Sequence, residues 1–184
     1  MMDITAMSSA SDTHEGYEGA VVAANLHYLT PPRQNQIWCT LKPEYSAERF
    51  SYVISQGFLG RLCWSGLIDG LSEAQLSEMF AAERFYETVS PIIKRGSSYI
   101  YRNAPCSFRE PEGIQAVIRY SEDLNLALVV VHAMQNAGEL EFRLKGKYII
   151  KQSLYNKTAE IADGCFSVGE MPDFSGNVYL LEAL

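Results

Sequence analysis

Apolar residues recur at helical spacing between residues 17 and 29, where Val21, Val22, Leu26 and Leu29 fall on one side. The Pro31-Pro32 pair breaks that pattern, and the run Ile37-Trp38-Cys39-Thr40-Leu41 behind it is short enough to read as a buried strand. A second helix is predicted from a Ser46 cap to about Ser55, with Phe50, Val53 and Ile54 facing inward. Gly57 closes it ahead of another apolar run, Phe58 to Trp64. Ser72 and Gln75 have the spacing of a capping box, and they open the third and longest helix, which carries Leu76, Met79, Phe80, Val89 and Ile93 on adjacent faces. Gly96 is expected to end it and Pro91 to kink its last turn. Helices alternating with short apolar strands predict parallel βαβ units over residues 1–95, as in a piece of an α/β barrel or of a doubly wound sheet.

Beyond residue 96 the period changes from helical to two. Ile114, Ala116, Ile118 and Tyr120 alternate, Leu126 to Val131 is nearly continuous, and Leu140, Phe142 and Leu144 alternate again. Clusters of turn-forming residues punctuate these strands at Asn136-Ala137-Gly138, Lys145-Gly146-Lys147, Asp163-Gly164 and Ser175-Gly176-Asn177. An antiparallel sandwich is the predicted architecture of this half.

Composition narrows the function. With 47% apolar and 20% charged residues the chain is globular, and its net charge of −7 argues against a nucleic-acid partner. Cys39, Cys63, Cys106 and Cys165 are widely spaced, form no C-x-x-C pair and have no nearby histidine pattern suited to zinc, so reduced buried thiols are expected. The first residues lack the basic start and apolar run of an export signal, and no apolar stretch approaches the ~20 residues that span a bilayer. The expected setting is cytoplasmic, without membrane insertion.

Three segments carry candidate chemistry. Ser11-Asp12-Thr13-His14-Glu15 lies just ahead of the first helix, where a carboxylate can donate or accept a proton in a strand-to-helix loop; the alternative is a helix N-cap with Glu15 and Glu18 favouring the dipole. Arg33, Gln34, Asn35 and Gln36 could bind hydroxyl groups, or form a polar loop that pins the strand. Arg61 and Trp64 stand around the following strand, where the indole is either the wall of a sugar site or part of the core.

Taken in order, three stretches resemble the melibiase-type α-galactosidases of glycoside hydrolase clan D. Ser11 to Glu15 is similar to the family's Ser-Asp-x-x-Asp motif, and Gly60-Arg61-Leu62-Cys63-Trp64-Ser65-Gly66 to its Gly-Arg-x-x-x-Ser-Gly pattern. Phe85 to Tyr99, with Tyr86, Pro91, Gly96 and Tyr99 in place, resembles the helix that joins barrel to sandwich. The resemblance implies a fold of class α/β plus all-β: a partial (β/α) barrel segment over residues 1–96, then a C-terminal antiparallel β-sandwich over residues 97–184. It makes Asp12 the acid/base of a retaining glycosidase and an α-galactoside oligosaccharide the substrate; Arg33, Arg61 and Trp64, read from the residues themselves, are the candidate substrate-binding residues, and no cofactor or metal is expected.

A retaining mechanism needs a second carboxylate roughly 5–5.5 Å from the first, acting as nucleophile. The family draws it from an earlier barrel strand that has no counterpart ahead of Asp12. The expected protein is thus a fragment of an α-galactosidase-like hydrolase, inactive alone. The alternatives are a non-catalytic carbohydrate-binding sandwich and an interaction subunit, acting as a homo-oligomer or with a partner that supplies the rest of the barrel.

Overall fold

The computed structural model describes residues 8–9, 17–105, 107–155 and 159–184. Strand β1 (Ser8–Ser9) pairs in parallel with β2 (Asn35–Leu41), and β2 pairs in parallel with β3 (Arg61–Gly66). Helix α1 (Gly19–Leu26) is shorter than its apolar pattern, because the chain tightens into turns after Leu26 and leaves Leu29 67% exposed. Helix α2 (Ala47–Gln56) starts where expected, with the Ser46 hydroxyl accepting from the Arg49 N–H.

Helix α3 (Glu73–Arg95) forms the anticipated capping box, in which Ser72 and Gln75 satisfy each other's backbone N–H groups. It continues through Pro91, whose ring nitrogen cannot donate to the Glu87 carbonyl; the Ser90 hydroxyl donates to that oxygen instead, at 3.1 Å. Gly96 follows in an extended conformation, φ −72°. A β-carbon there would lie 2.5 Å from the Tyr120 carbonyl oxygen, so close approach and not handedness requires glycine.

The remaining strands are β4 (Ser97–Arg102), β5 (Ile114–Tyr120), β6 (Leu126–Ala133), β7 (Leu140–Arg143), β8 (Tyr148–Ser153), β9 (Ala159–Ala162), β10 (Cys165–Val168) and β11 (Ser175–Ala183). They form two antiparallel sheets, ordered β4-β5-β6-β11-β8 and β7-β10-β9. Ile118, Val129, Tyr179 and Leu181 on one face of the five-stranded sheet meet Phe142 and Phe166 of the smaller sheet, the inner layer of a β-sandwich. Phe166 is fully buried, with ring centres 5.3 Å from Phe142 and 5.4 Å from Tyr179.

The alternate residues Val117, Leu128, Val130, Val178 and Leu180 face the other way. They join a second core with Ile37, Cys39, Phe50, Ile54, Phe85 and Val89, so helices and parallel strands lie against the back of the same sheet. This two-sided burial explains why β5 reads as buried at every position. Each large apolar side chain so enclosed stabilises the fold by about 1.5–3 kcal/mol.

One expected turn is a strand. Ser175-Gly176-Asn177 begins β11 and is buried, because α2 packs over it: the Gly176 N–H donates to the Ser51 hydroxyl at 3.2 Å. Cys39, Cys63 and Cys165 are free thiols, with burial pushing the Cys39 thiol well up; Cys106 lies outside the described residues. Among the described residues no helix is long and apolar enough to cross a membrane.

Two histidines are held neutral. Burial lowers His132 on β6 to about 3, beside the Tyr52 ring at 5.0 Å, and burial followed by the Arg119 charge lowers His27 to about 4. The unfolded chain takes up these protons near pH 6.5 while the fold refuses them, so their stabilisation is complete above that pH and is lost as pH falls toward 3–4. Between pH 7 and 5 His132 and His27 should each cost about 2 kcal/mol. Urea midpoints at the two pH values check this, and His132→Gln should flatten the slope; a slope unchanged by the substitution would refute it.

Candidate functional site

Register assigns every side chain of the parallel sheet to a face. Ile37, Cys39 and Leu41 of β2 are paired with Leu62, Trp64 and Gly66 of β3, and this face is the one the helices cover. Trp64 accordingly packs on the core beside Cys39 and shares no surface with Arg61. The opposite face carries Gln36, Trp38 and Thr40 beside Arg61, Cys63 and Ser65. Trp38 is 38% exposed there, and its indole N–H donates to the Ser9 hydroxyl of β1 at 2.6 Å. Among the described residues β3 is paired on one side only.

The parallel strands all run toward Leu41 and Gly66, and ligand sites of (β/α)8 proteins form at this end. Gly66 has φ +96°, and a β-carbon on it would strike the Leu41 carbonyl oxygen at 2.1 Å. Asp12, and with it Ser11, His14 and Glu15, lies outside the described residues. Both neighbours of that segment are anchored. Ser9 pairs with β2, and Tyr17 accepts at its carbonyl from the Tyr52 hydroxyl at 2.7 Å, lies 4.3 Å from the Phe174 ring and receives the Arg49 guanidinium 3.2 Å from its ring centre.

Arg33 and Arg61 come together at the opposite, N-terminal end of the strands. Arg33 sits in the 3-10 turn Pro32–Gln34 that leads into β2, and Arg61 is the first residue of β3. With Tyr86, Ile93, Lys94 and Arg95 of α3 they line a pocket of about 460 Å³. Tyr86 organises it: its hydroxyl donates to the Gly60 carbonyl at 2.8 Å and accepts from the Leu62 N–H at 3.3 Å, clamping the backbone on both sides of Arg61. Gly60 lets the start of β2 pass close by, since a β-carbon there would lie 2.5 Å from the Asn35 carbonyl oxygen.

Arg119, absent from the expected site residues, stands behind this clamp. It is 1% exposed; its Nε donates to the Ser98 hydroxyl at 2.8 Å and Nη2 to the Leu59 carbonyl at 3.2 Å, while Nη1 has no hydrogen-bond partner among the described residues. Its burial was hidden in a strand whose alternate residues are apolar, where an arginine reads as solvent-facing. Among the described residues no group of three His, Cys, Asp or Glu converges as a metal site would require.

No protein-family model matches the sequence, nor does any curated protein. Solved structures do match in fold. The galactosidase domain of an α-galactosidase–sucrose kinase, AgaSK, superposes with a TM-score of 0.68 at 16% identity, over 95% of this chain and 25% of that one. An α-galactosidase from Lactobacillus brevis gives 0.68 at 18%, over 95% and 26%. The GH36 α-galactosidase AgaA from Geobacillus stearothermophilus gives 0.62 at 20%, over 90% and 24%, and variants of AgaA have been solved with raffinose and with stachyose. From its parallel strands through its sandwich, this chain has the fold of about one quarter of the α-galactosidases it matches.

Proposed function

We propose that this chain is the end of a retaining α-galactosidase, comprising the last strands of a (β/α)8 barrel and the sandwich that follows, and that it acts on terminal α-galactosides only when the rest of the barrel is present. The observation that supports this most is continuity: the match to AgaSK covers 95% of the chain, including the junction where α3 passes into β4. The three parallel strands, covered by helices on one face and, among the described residues, unpaired beyond β3, are what an opened barrel would present. In this reading Asp12, which follows β1, is the acid/base that protonates the leaving oxygen. The nucleophilic carboxylate comes from the remaining three quarters, without which no glycosyl intermediate forms. Arg33 and Arg61, at the N-terminal strand ends, then lie away from the substrate, and Trp64 supports the sheet from behind.

The test is to read the DNA upstream of Met1 for a frame encoding the barrel front, and to assay the joined product beside this chain with melibiose and raffinose. Hydrolysis by the joined product alone is the expected result. Hydrolysis by this chain unaided, or an upstream region that encodes no barrel strands, would overturn the proposal.

A further inference from the structure

We propose that the pocket at the N-terminal strand ends, lined by Arg33, Arg61 and Lys94, binds a small molecule through a phosphate group. The chain as a whole carries −7, yet four cations converge on this one depression, from three separate elements: Arg33 from the turn before β2, Arg61 from β3, and Lys94 and Arg95 from α3. Cations in the last turn of a helix complement its dipole, which accounts for Lys94 and Arg95 but not for Arg33 and Arg61. Arg95 pairs with Glu122 at 3.4 Å in an exposed bridge; no carboxylate among the described residues pairs with Arg33, Arg61 or Lys94.

A second observation comes from behind the pocket wall. The Arg119 guanidinium is buried with no carboxylate partner among the described residues; burial raises the Tyr86 hydroxyl, and the charges of Arg119 and Arg61 act on it in the opposite direction. Burying an unpaired cation costs several kcal/mol, and an anion held in front of Tyr86 would offset part of that cost. The planar arginine fork can donate to two oxygens of a tetrahedral phosphate at once, and Tyr86 fixes the Arg61 backbone in advance of binding. At about 460 Å³ the pocket has room for more than the phosphate group itself.

Thermal unfolding of the chain at constant ionic strength tests this, with inorganic phosphate, glucose 6-phosphate and chloride as probes. Both phosphates should raise the midpoint saturably and chloride should not. Arg33→Gln and Arg61→Gln should each weaken the apparent affinity about tenfold, and the double variant should lose the response. Arg84→Gln, a change on α3 outside the pocket, should retain it. Tighter binding of glucose 6-phosphate would mark an organic phosphate as the ligand, and equal binding would show that the phosphate group alone is read. Equal responses to phosphate and chloride, or an undiminished response in the double variant, would overturn the proposal, as would binding of a polyglutamate peptide with no response to either phosphate.

Discussion

Asp12→Asn in the enzyme completed by the barrel front is expected to slow hydrolysis of melibiose by about 10²–10⁴-fold. Asparagine keeps the size of the side chain but cannot deliver a proton, and the sugar leaving group of melibiose departs poorly without one. An activated aryl α-galactoside should be affected less in its first step, since its phenolate leaves unaided. What loss remains there belongs to the second step, in which the same carboxylate, now acting as base, deprotonates the attacking water. The contrast between the two substrates is diagnostic, because a variant that had merely lost its fold would fail equally on both. If melibiose turnover is unchanged, Asp12 is not the acid/base, whatever its place in the sequence.

Gly176→Val should destabilise the fold by about 3 kcal/mol, lowering the melting temperature by roughly 6–12 °C. A β-carbon on Gly176 would sit 2.7 Å from the Ser55 β-carbon, 2.8 Å from its hydroxyl and 3.0 Å from the Ser51 carbonyl oxygen. All three of these atoms belong to helix backbone or to the fully buried Ser55 side chain, so α2 must lift from β11 to make room. Lifting it opens the core built from Phe50, Ile54, Val178 and Leu180. Gly169→Ala is the control, since a β-carbon there meets nothing within 4 Å; it should be neutral or slightly stabilising. Equal melting temperatures for the two variants would refute the packing argument.

The contrast between these glycines shows where sequence reasoning stopped. Local signals were legible: the Ser72 and Gln75 spacing fixed the start of α3, the Ser46 cap fixed α2, and the period-two alternation located β5 and β7. Ser175-Gly176-Asn177 has the composition of a turn, but its glycine answers a contact with α2, more than 100 residues earlier in the chain, that no local window contains. Trp64 was ambiguous for a related reason. Leu62, Cys63 and Trp64 are all apolar, so alternation gives no parity, and only the pairing with β2 decides which face the indole takes. Arg33 and Arg61 were each legible as candidate binding residues in separate segments, whereas their meeting with one another and with Lys94, and their distance from the far ends of the strands, required the fold. Arg119 was illegible altogether, because a buried guanidinium leaves no mark on the pattern.

The five-stranded sheet has apolar residues on both surfaces, and this bears on how such a tail can travel between genes. Severed at Gly96, the β portion would carry Val117, Leu128, Val130, Val178 and Leu180 into water, together with the guanidinium of Arg119 stripped of its lid. A segment with so much naked surface is not a portable domain. To stay dry it needs α1, α2, α3 and the strands beside them, so any transfer that left those behind would deliver a sheet with one bare apolar face.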